Sequence, residues 1–176
     1  KENKITPLVT QSSNLDLLPT TIKLANLEIN GKNLYGTNHE LKMALNYLKP
    51  KYDYIIIDCS PSINFITTSF LCHSDAVLIP MQCEYYALEG LGQLLETIQL
   101  VKTHVKPELA ILGAVLTMYD KRTRLSEEVM NELYKYFPDT IFRSVIPRTV
   151  RLAEAPSFGQ SIFHYEPGGK GATAYQ

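Results

Sequence analysis

Short apolar runs that alternate with longer amphipathic segments are the feature of this 176-residue chain that most narrows its fold. The run YIIID (54–58) is continuously apolar and rich in isoleucine up to its aspartate, which is typical of a strand buried on both faces. Further strands are predicted at 15–19, 76–81, 110–119 and 140–147. Helices are predicted at 20–29, 38–49, 62–72, 87–104 and 126–137. This order predicts an α/β fold with a mostly parallel, doubly wound sheet and helices on both faces.

Residues 1–176 are predicted to form a single α/β domain, because the sequence shows no internal repeat, linker or low-complexity segment. The chain is 45% hydrophobic and 20% charged, which suits one water-exposed domain with its own core. No window approaches the roughly 20 apolar residues that cross a bilayer, and no signal segment stands at the start, so we expect a cytoplasmic location and no membrane contact. The cysteines Cys59, Cys72 and Cys83 form no C-x-x-C pair, and we interpret them as small buried hydrophobic residues.

Asp58 ends the most apolar run of the chain. A carboxylate at the tip of a buried strand is costly unless it is solvated, paired or holding a cation. Two interpretations stay open on the residues alone: a Walker B aspartate facing Mg²⁺ and phosphates, or a cap for the following helix, which Ser60-Pro61-Ser62 is suited to open.

A Walker B strand needs a glycine-rich phosphate loop, G-x-x-x-x-G-K-[ST]. Residues 1–176 do not contain this motif. NGKN (30–33) lacks the upstream glycine and the following Ser or Thr. In PGGKGAT (167–173), Lys170 is followed by glycine, and we interpret the segment as a flexible turn.

The five arginines are concentrated between residues 122 and 151, although the net charge is only −1. Arginine binds phosphate and carboxylate through a planar fork, so this placement favours a phosphate-rich ligand. An ordinary solvated surface with ion pairs to neighbouring acids is the alternative; those acids are Glu127, Glu128, Glu132 and Asp139.

Four long motifs, in order and at similar spacing, resemble the ParA/Soj family of chromosome- and plasmid-partition ATPases. They are YDYIIIDCSPS, AVLIPMQCEYYALEGLGQLLETIQLV, LGAVLTMYDKRTRLSEEVMNELYKYF and VIPRTVRLAEAPSFGQSI. The resemblance implies a P-loop NTPase-like fold of the deviant Walker type, of which this chain is the C-terminal two-thirds without the N-terminal strands. It also implies binding of ATP and Mg²⁺, a homodimer around the nucleotide, DNA binding without sequence preference, a ParB-like partner that stimulates hydrolysis, and a nucleoid-associated location.

The resemblance also implies roles for particular residues. Asp58 is the expected Walker B aspartate, acting on Mg²⁺ through its water shell. Pro147, Arg148 and Thr149 are expected beside the adenine with Met118 nearby, and Glu84 is expected to reach the partner's nucleotide across the dimer. Arg122 and Arg151 match arginines that bind the DNA backbone; weaker candidates for that contact are Arg124, Lys135 and Arg143.

The departures from the family limit the activity expected of these residues. The phosphate loop and the strand that ends in the catalytic aspartate are missing from residues 1–176, and Cys59-Ser60-Pro61 replaces the usual Cys-Pro-Pro. We therefore expect the complete protein to hydrolyse ATP and residues 1–176 alone not to do so. Two alternatives remain: a MinD-like membrane-associated ATPase, and a truncated, non-enzymatic homologue that binds DNA or a partner.

Overall fold

The computed structural model describes residues 8–9, 14–19, 34–60 and 62–176. They form two compact units, Lys1–His73 and Ser74–Gln176. The helix predicted at 20–29 lies outside the described residues. Within the described part of the chain, no helix is both long and apolar enough to cross a bilayer.

In the described residues of the first unit, a short antiparallel strand pair and two helices are formed. Strand β1 (Leu8–Val9) pairs with β2 (Asp16–Leu17), so only part of the strand predicted at 15–19 is formed. Helix α1 (Leu34–Leu48) continues into a 3₁₀ turn at Lys49–Lys51 and contacts α2 (Phe65–His73). Among the residues of this unit that the structure describes, Leu45, Leu48 and Leu71 are the buried apolar side chains.

The strand predicted at 54–58 is wrong. The segment has no regular secondary structure, and the side chains of Tyr54 and Ile56 are 87% and 92% exposed. Among the described residues no strand pairs with it, and an extended segment without a hydrogen-bonded neighbour is not stable as a strand. Cys59 is likewise exposed and Cys72 half-buried, so the expectation of a buried cysteine holds only for Cys83.

Helix α2 begins at Phe65, three residues later than predicted. Asn64 caps it, because its Oδ1 accepts a hydrogen bond from the backbone N–H of Thr67 at 2.9 Å. The capping role considered for Asp58 is therefore not needed, since Asp58 lies seven residues before the helix starts.

The second unit confirms the α/β fold class. Strands β3 (Ala76–Gln82), β4 (Ala110–Tyr119) and β5 (Ile141–Pro147) form a parallel sheet in the order β3-β4-β5. Helix α3 (Tyr85–His104) connects β3 to β4, and α4 (Arg124–Tyr136) connects β4 to β5. Such crossovers are what parallel strands require. The largest fully buried apolar side chains are Leu91, Ile98, Leu109, Leu116, Val129 and Leu133.

A bulge in β4 changes which side chains face this core. Val77 pairs with Ile111 but Leu78 pairs with Gly113, so Leu112 is the additional residue on β4. Gly113 and Ala114 are consecutive and both buried, after which burial alternates again to Leu116. The bulge therefore sets the register in which β4 reaches the carboxyl edge of the sheet.

The chain after β5 folds into short helices: α5 (Val150–Glu154), a 3₁₀ turn at Ala155–Phe158, α6 (Ile162–Tyr165) and α7 (Lys170–Tyr175). Ala155, Ile162 and Ala172 form a small buried cluster with Leu152 and Tyr165 packed against it. The turn predicted at 167–173 is therefore formed only at 167–169, and residues 170–173 belong to α7. A Cβ on Gly171 would lie 2.8 Å from Cγ of Leu152, so glycine lets α7 pack closely against that side chain.

Candidate functional site

The carboxyl ends of the three parallel strands hold a cleft of about 210 Å³. In open α/β sheets this edge is where ligands bind. Its lining side chains are Cys83, Glu84, Met118, Asp120, Thr123, Leu125, Ser126 and Arg148. Each lining residue comes from the segment after β3, the end of β4 and the start of α4, or the residue after β5.

Backbone hydrogen bonds extend the sheet one residue beyond two of its strands. The N–H of Cys83 donates to the carbonyl of Thr117 and the N–H of Arg148 donates to the carbonyl of Tyr119, both at 3.0 Å. These bonds fix where Glu84 and Arg148 leave the sheet. Pro147 is the last residue of β5, and Thr149 caps α5 by accepting a hydrogen bond at Oγ1 from the N–H of Leu152 at 3.1 Å.

An ion pair spans the cleft from the end of β3 to the end of β5. Nη2 of Arg148 donates to Oε1 of Glu84, and both side chains are about half exposed. The resemblance implies that Glu84 reaches across a dimer, whereas within this chain its carboxylate lies against Arg148. Three of the residues that the sequence placed near a nucleotide, Glu84, Met118 and Arg148, thus line one cleft.

Met118 adopts a left-handed backbone conformation with φ of 53°. This region costs a side chain other than glycine, asparagine or aspartate about 1–2 kcal/mol, and such strain is often retained at functional sites. The conformation occurs where β4 leaves the sheet, and it leaves the Met118 side chain partly exposed in the cleft.

Asp120 organises the wall of the cleft; the sequence places it at the end of a strand but assigns it no role. Its N–H donates to Oγ of Ser126 at 3.2 Å, and its carbonyl accepts from both the N–H and the hydroxyl of Thr123 at 3.1 Å. Oγ1 of Thr123 also lies 2.9 Å from Oγ of Ser126, which is buried. The signal available in the sequence was Asp, Thr and Ser at three-residue spacing immediately before a helix, which is typical of a capped N-terminus.

Arg122 binds the Asp120 carboxylate side-on. Its Nε donates to Oδ1 at 3.0 Å and its Nη2 donates to Oδ2 at 2.7 Å, while its side chain stays 89% exposed. These hydrogen bonds lower the pKa of Asp120 to about 2 and raise the pKa of the Arg122 guanidinium. One edge of the guanidinium, which carries Nη1, faces away from this carboxylate.

We expect the Asp120–Arg122 pair to contribute to stability in a defined pH range. Because the pKa of Asp120 falls from 3.8 to about 2, its contribution is complete above pH 3.8 and is lost as the pH falls through about 2. Asp120→Asn should therefore flatten the decline in unfolding free energy between these two pH values, as measured by urea unfolding.

Arg122→Ala is the matched variant for this effect, because it removes the same pair from the other side. The two variants should show similar pH dependence, and the effect should be small because the pair is exposed. A wild-type decline over this range that persists unchanged in both variants would contradict the assignment.

Cys83 is buried in the cleft wall, and burial raises the pKa of its thiol above the ordinary value of 9.0, although a hydrogen bond with Ser126 works in the opposite direction. A raised pKa keeps the thiol protonated near neutral pH. Since the thiolate is the nucleophilic form, Cys83 is suited to packing rather than covalent catalysis.

Arg151 lies on α5 between two carboxylates. Its Nη1 donates to Oε2 of Glu154 at 3.0 Å, and its Nε is 3.6 Å from Oε1 of Glu166. The hydrogen bond to Glu154 is the main reason that the pKa of Arg151 is raised. Of the weaker candidates, Lys135 pairs with Glu132 at 2.6 Å, and Arg124 and Arg143 are exposed.

Asp58 belongs to the first unit and its side chain is exposed. The described residues contain no group of three or more His, Cys, Asp or Glu side chains that could hold a metal ion. An exposed single carboxylate still suits Mg²⁺, which keeps several water ligands and needs only one or two carboxylates. The assignment of Asp58 to Mg²⁺ remains a prediction.

A family model described as an AAA domain matches residues 1–111. The chain is 51% identical over 166 residues to the sporulation initiation inhibitor protein Soj of Bacillus subtilis. The matched region covers 94% of this chain and 66% of that protein. It is 45% identical over 161 residues to the chromosome partitioning protein ParA of Myxococcus xanthus, covering 92% of this chain and 57% of that protein. The chain belongs to the AAA domain family, in its ParA/Soj group.

A solved structure extends the comparison of this ParA/Soj chain to a nucleotide complex. The cobyrinic acid a,c-diamide synthase of Mycobacterium smegmatis, with bound ATP analog and magnesium, matches with a TM-score of 0.71 and 34% identity over 92% of this chain and 59% of that one. The ParA/Soj chain spans 57–66% of the length of the two curated relatives above.

Proposed function

We propose that the protein takes part in chromosome or plasmid partitioning as an ATPase that binds DNA. The observation that carries the proposal is the set of residues at the carboxyl edge of β3, β4 and β5, where Glu84, Met118 and Arg148 line one cleft. The relatives named for chromosome partitioning or sporulation control are 45% and 51% identical, above the 34% of the diamide synthase. This ranking favours partitioning over a synthase activity.

The cleft suits the base end of a nucleotide better than its phosphate end. Leu125 and the exposed Met118 side chain offer apolar surface, and the hydroxyl and carboxylate groups of Thr123 and Asp120 offer polar contacts. In this proposal Met118, Pro147, Arg148 and Thr149 hold the adenine of ATP. The residues described here provide no matching cradle for the triphosphate, because the sequence contains no G-x-x-x-x-G-K-[ST] loop.

Bound ATP with Mg²⁺ would supply the phosphoryl group that is transferred to water. Its hydrolysis would switch the protein between states. The chain's own contribution is to hold and orient: Asp58 would accept hydrogen bonds from water around Mg²⁺, and the cleft would orient the base. Glu84 would contact the partner's nucleotide in a homodimer, which requires it to leave Arg148. We propose that a ParB-like protein stimulates turnover.

The arginines provide the DNA-binding part of the proposal. Arg122 and Arg151 are exposed, and their guanidinium groups are suited to phosphate oxygens through charge-assisted hydrogen bonds. Contacts of this kind carry no base sequence, so binding would be independent of DNA sequence. The protein would therefore associate with the nucleoid in the cytoplasm rather than with a membrane.

The test of the proposed function is DNA binding by the protein expressed from its complete reading frame. We expect it to bind two duplexes of unrelated sequence equally, in the presence of ATP and Mg²⁺ and more weakly without them. Binding that ignores nucleotide, or a protein that binds anionic vesicles in place of DNA, would contradict the proposal.

We expect residues 1–176 alone to show no ATP turnover. Without the phosphate loop, the triphosphate loses its amide and lysine contacts, and no water is oriented for attack. Phosphate release measured with ATP, Mg²⁺ and DNA checks this, with the protein from the complete reading frame as the positive control. Turnover by residues 1–176 that is lost in Asp58→Ala would show that the missing loop is dispensable and that the expectation is wrong.

A further inference from the structure

Two carboxylates lie close to the guanidinium of Arg151, so the negative charge around it exceeds its own positive charge. Glu154 contacts Nη1 at 3.0 Å and Glu166 lies 3.6 Å from Nε, so the three side chains together have a charge of −1 (one cation, two anions). The hydroxyl of Tyr165 also donates to Oε2 of Glu154 at 3.1 Å. A phosphate that approaches Arg151 is therefore repelled by two carboxylates, one hydrogen-bonded to Nη1 and one ion-paired beside Nε.

Glu166 can occupy this position because residue 169 has no side chain. A Cβ on Gly169 would lie 2.0 Å from Oε2 of Glu166 and 2.5 Å from its Cδ. The backbone of Gly169 has φ of −74°, which alanine adopts without strain. The glycine thus leaves room for the Glu166 carboxylate beside Arg151 and is not needed for the backbone conformation.

The carboxylate beside Arg122 is arranged differently from those around Arg151. Asp120 is fixed by Ser126 and Thr123, and it binds the Nε edge of Arg122. This arrangement leaves the pair neutral and the Nη1 edge available, so Asp120 orients Arg122. At Arg151 both Nη1 and Nε face carboxylates, so phosphate and carboxylate compete for the same donors.

We propose that Glu154 and Glu166 are affinity-setting residues of the nucleic-acid surface. They compete with DNA phosphates for the guanidinium of Arg151, and DNA binds there only after exchange of a carboxylate for a phosphate. This inference rests on the proposed DNA-binding function. It adds two acidic residues and Gly169 to the determinants of that binding.

The central experiment measures DNA affinity for Glu166→Gln in the protein from the complete reading frame, with ATP and Mg²⁺. Removal of one competing charge should tighten binding by about two- to fivefold, the range that an exposed ion pair supports. Glu108→Gln is the charge-matched control, because Glu108 is exposed and lies just before β4, at the opposite edge of the parallel sheet.

Two further variants separate the local ion pair from net charge. In an Arg151→Ala background, Glu166→Gln should give no gain, because its effect requires the guanidinium. Gly169→Ala keeps every charge but displaces the Glu166 carboxylate, so it should also tighten binding. Thermal unfolding of each variant checks that the fold is retained.

The possible outcomes separate a failure of the carboxylate competition at Arg151 from a failure of DNA binding itself. A gain in Glu166→Gln that also appears in Glu108→Gln, or that persists without Arg151, overturns the inference, as does wild-type affinity in Gly169→Ala. If Arg151→Ala weakens binding but Glu166→Gln binds as the wild type, the inference fails and the DNA surface stands. If the wild type binds no DNA, or Arg122→Ala with Arg151→Ala changes nothing, the proposed surface fails and the inference fails with it.

Discussion

Replacing both Arg122 and Arg151 by alanine should weaken DNA binding by about one to two orders of magnitude at low salt. Each guanidinium is exposed and can make charge-assisted hydrogen bonds to phosphate oxygens. The loss should be the same for unrelated sequences, because contacts to phosphate carry no base sequence. The measurement is a binding titration on two duplexes at several salt concentrations.

The salt dependence provides the more specific result. The slope of the logarithm of the binding constant against the logarithm of salt concentration should fall by about one unit for each phosphate that the variant no longer neutralises. Weaker binding with an unchanged slope would indicate that the substitutions damage the fold or the proposed dimer rather than the interaction with phosphate.

Matched variants identify what the arginines contribute. Lys102→Ala removes one positive charge from the last turn of α3, which leads away from the carboxyl edge of the sheet, and it should leave binding nearly unchanged. Arg151→Lys keeps the charge but loses the planar fork, so its affinity should lie between the wild type and Arg151→Ala. If Lys102→Ala weakens binding as much as the arginine variants do, overall charge and not a defined surface governs the interaction.

The second unit was largely predictable from the sequence because its signals are local. β3, β4 and β5 are apolar runs bounded by breakers, and α3 and α4 have helical apolar spacing. Burial of Leu91, Ile98 and Val101 shows that their common face of α3 packs against the core. The carboxyl edges then follow from strand direction, which brings Glu84, Met118 and Arg148 together.

Features that depend on a distant neighbour were not predictable. The run 54–58 has the composition of a strand, but a strand exists only where another pairs with it. PGGKGAT has the composition of a turn, yet only its first three residues form one. Helix α7 begins at Lys170, and Gly171 allows it to pack closely on Leu152. In both segments, pairing or packing with residues distant in the sequence had more influence on the structure than local composition did.

The ion pairs show the same division between local and distant information. Asp120 and Arg122 are two residues apart and could have been paired from the sequence, whereas Glu84 and Arg148 are separated by 64 positions. Clustering of arginine indicated phosphate, but carboxylates occupy three of these arginines in the folded chain. Both kinds of ligand were compatible with the sequence, and only side-chain placement shows that carboxylates contact these arginines within the chain.

Gly113→Ala should be among the most destabilising single substitutions in the second unit, at about 3 kcal/mol. Gly113 has φ of +148°, and a Cβ there would lie 2.2 Å from the carbonyl oxygen of Thr140 and 2.9 Å from the Phe142 ring. That carbonyl accepts the N–H of Ala114 at 3.0 Å, so the clash would also break a hydrogen bond between β4 and the start of β5. Urea unfolding followed by circular dichroism measures the loss.

Gly92→Ala is the control for this substitution. Gly92 lies on the exposed surface of α3, where a Cβ would meet no atom within 4 Å, so alanine should stabilise the helix by about 0.5–1 kcal/mol. We expect the change in unfolding free energy to have opposite signs at the two positions, because Gly113 has a positive φ and Gly92 lies in a regular helix. Equal effects would mean that β4 accommodates a side chain at the bulge.

The bulge links this stability effect to the cleft. Leu112 is the additional residue that places Gly113 opposite Leu78, and every later pair, up to Gln82 with Thr117, inherits that register. If β4 relieves the clash at residue 113 by losing the bulge, its pairing shifts by one residue and alternate side chains change faces. Met118 and Asp120 would then leave the positions from which they line the cleft, so Gly113→Ala should also abolish nucleotide-dependent DNA binding under conditions where the variant remains folded.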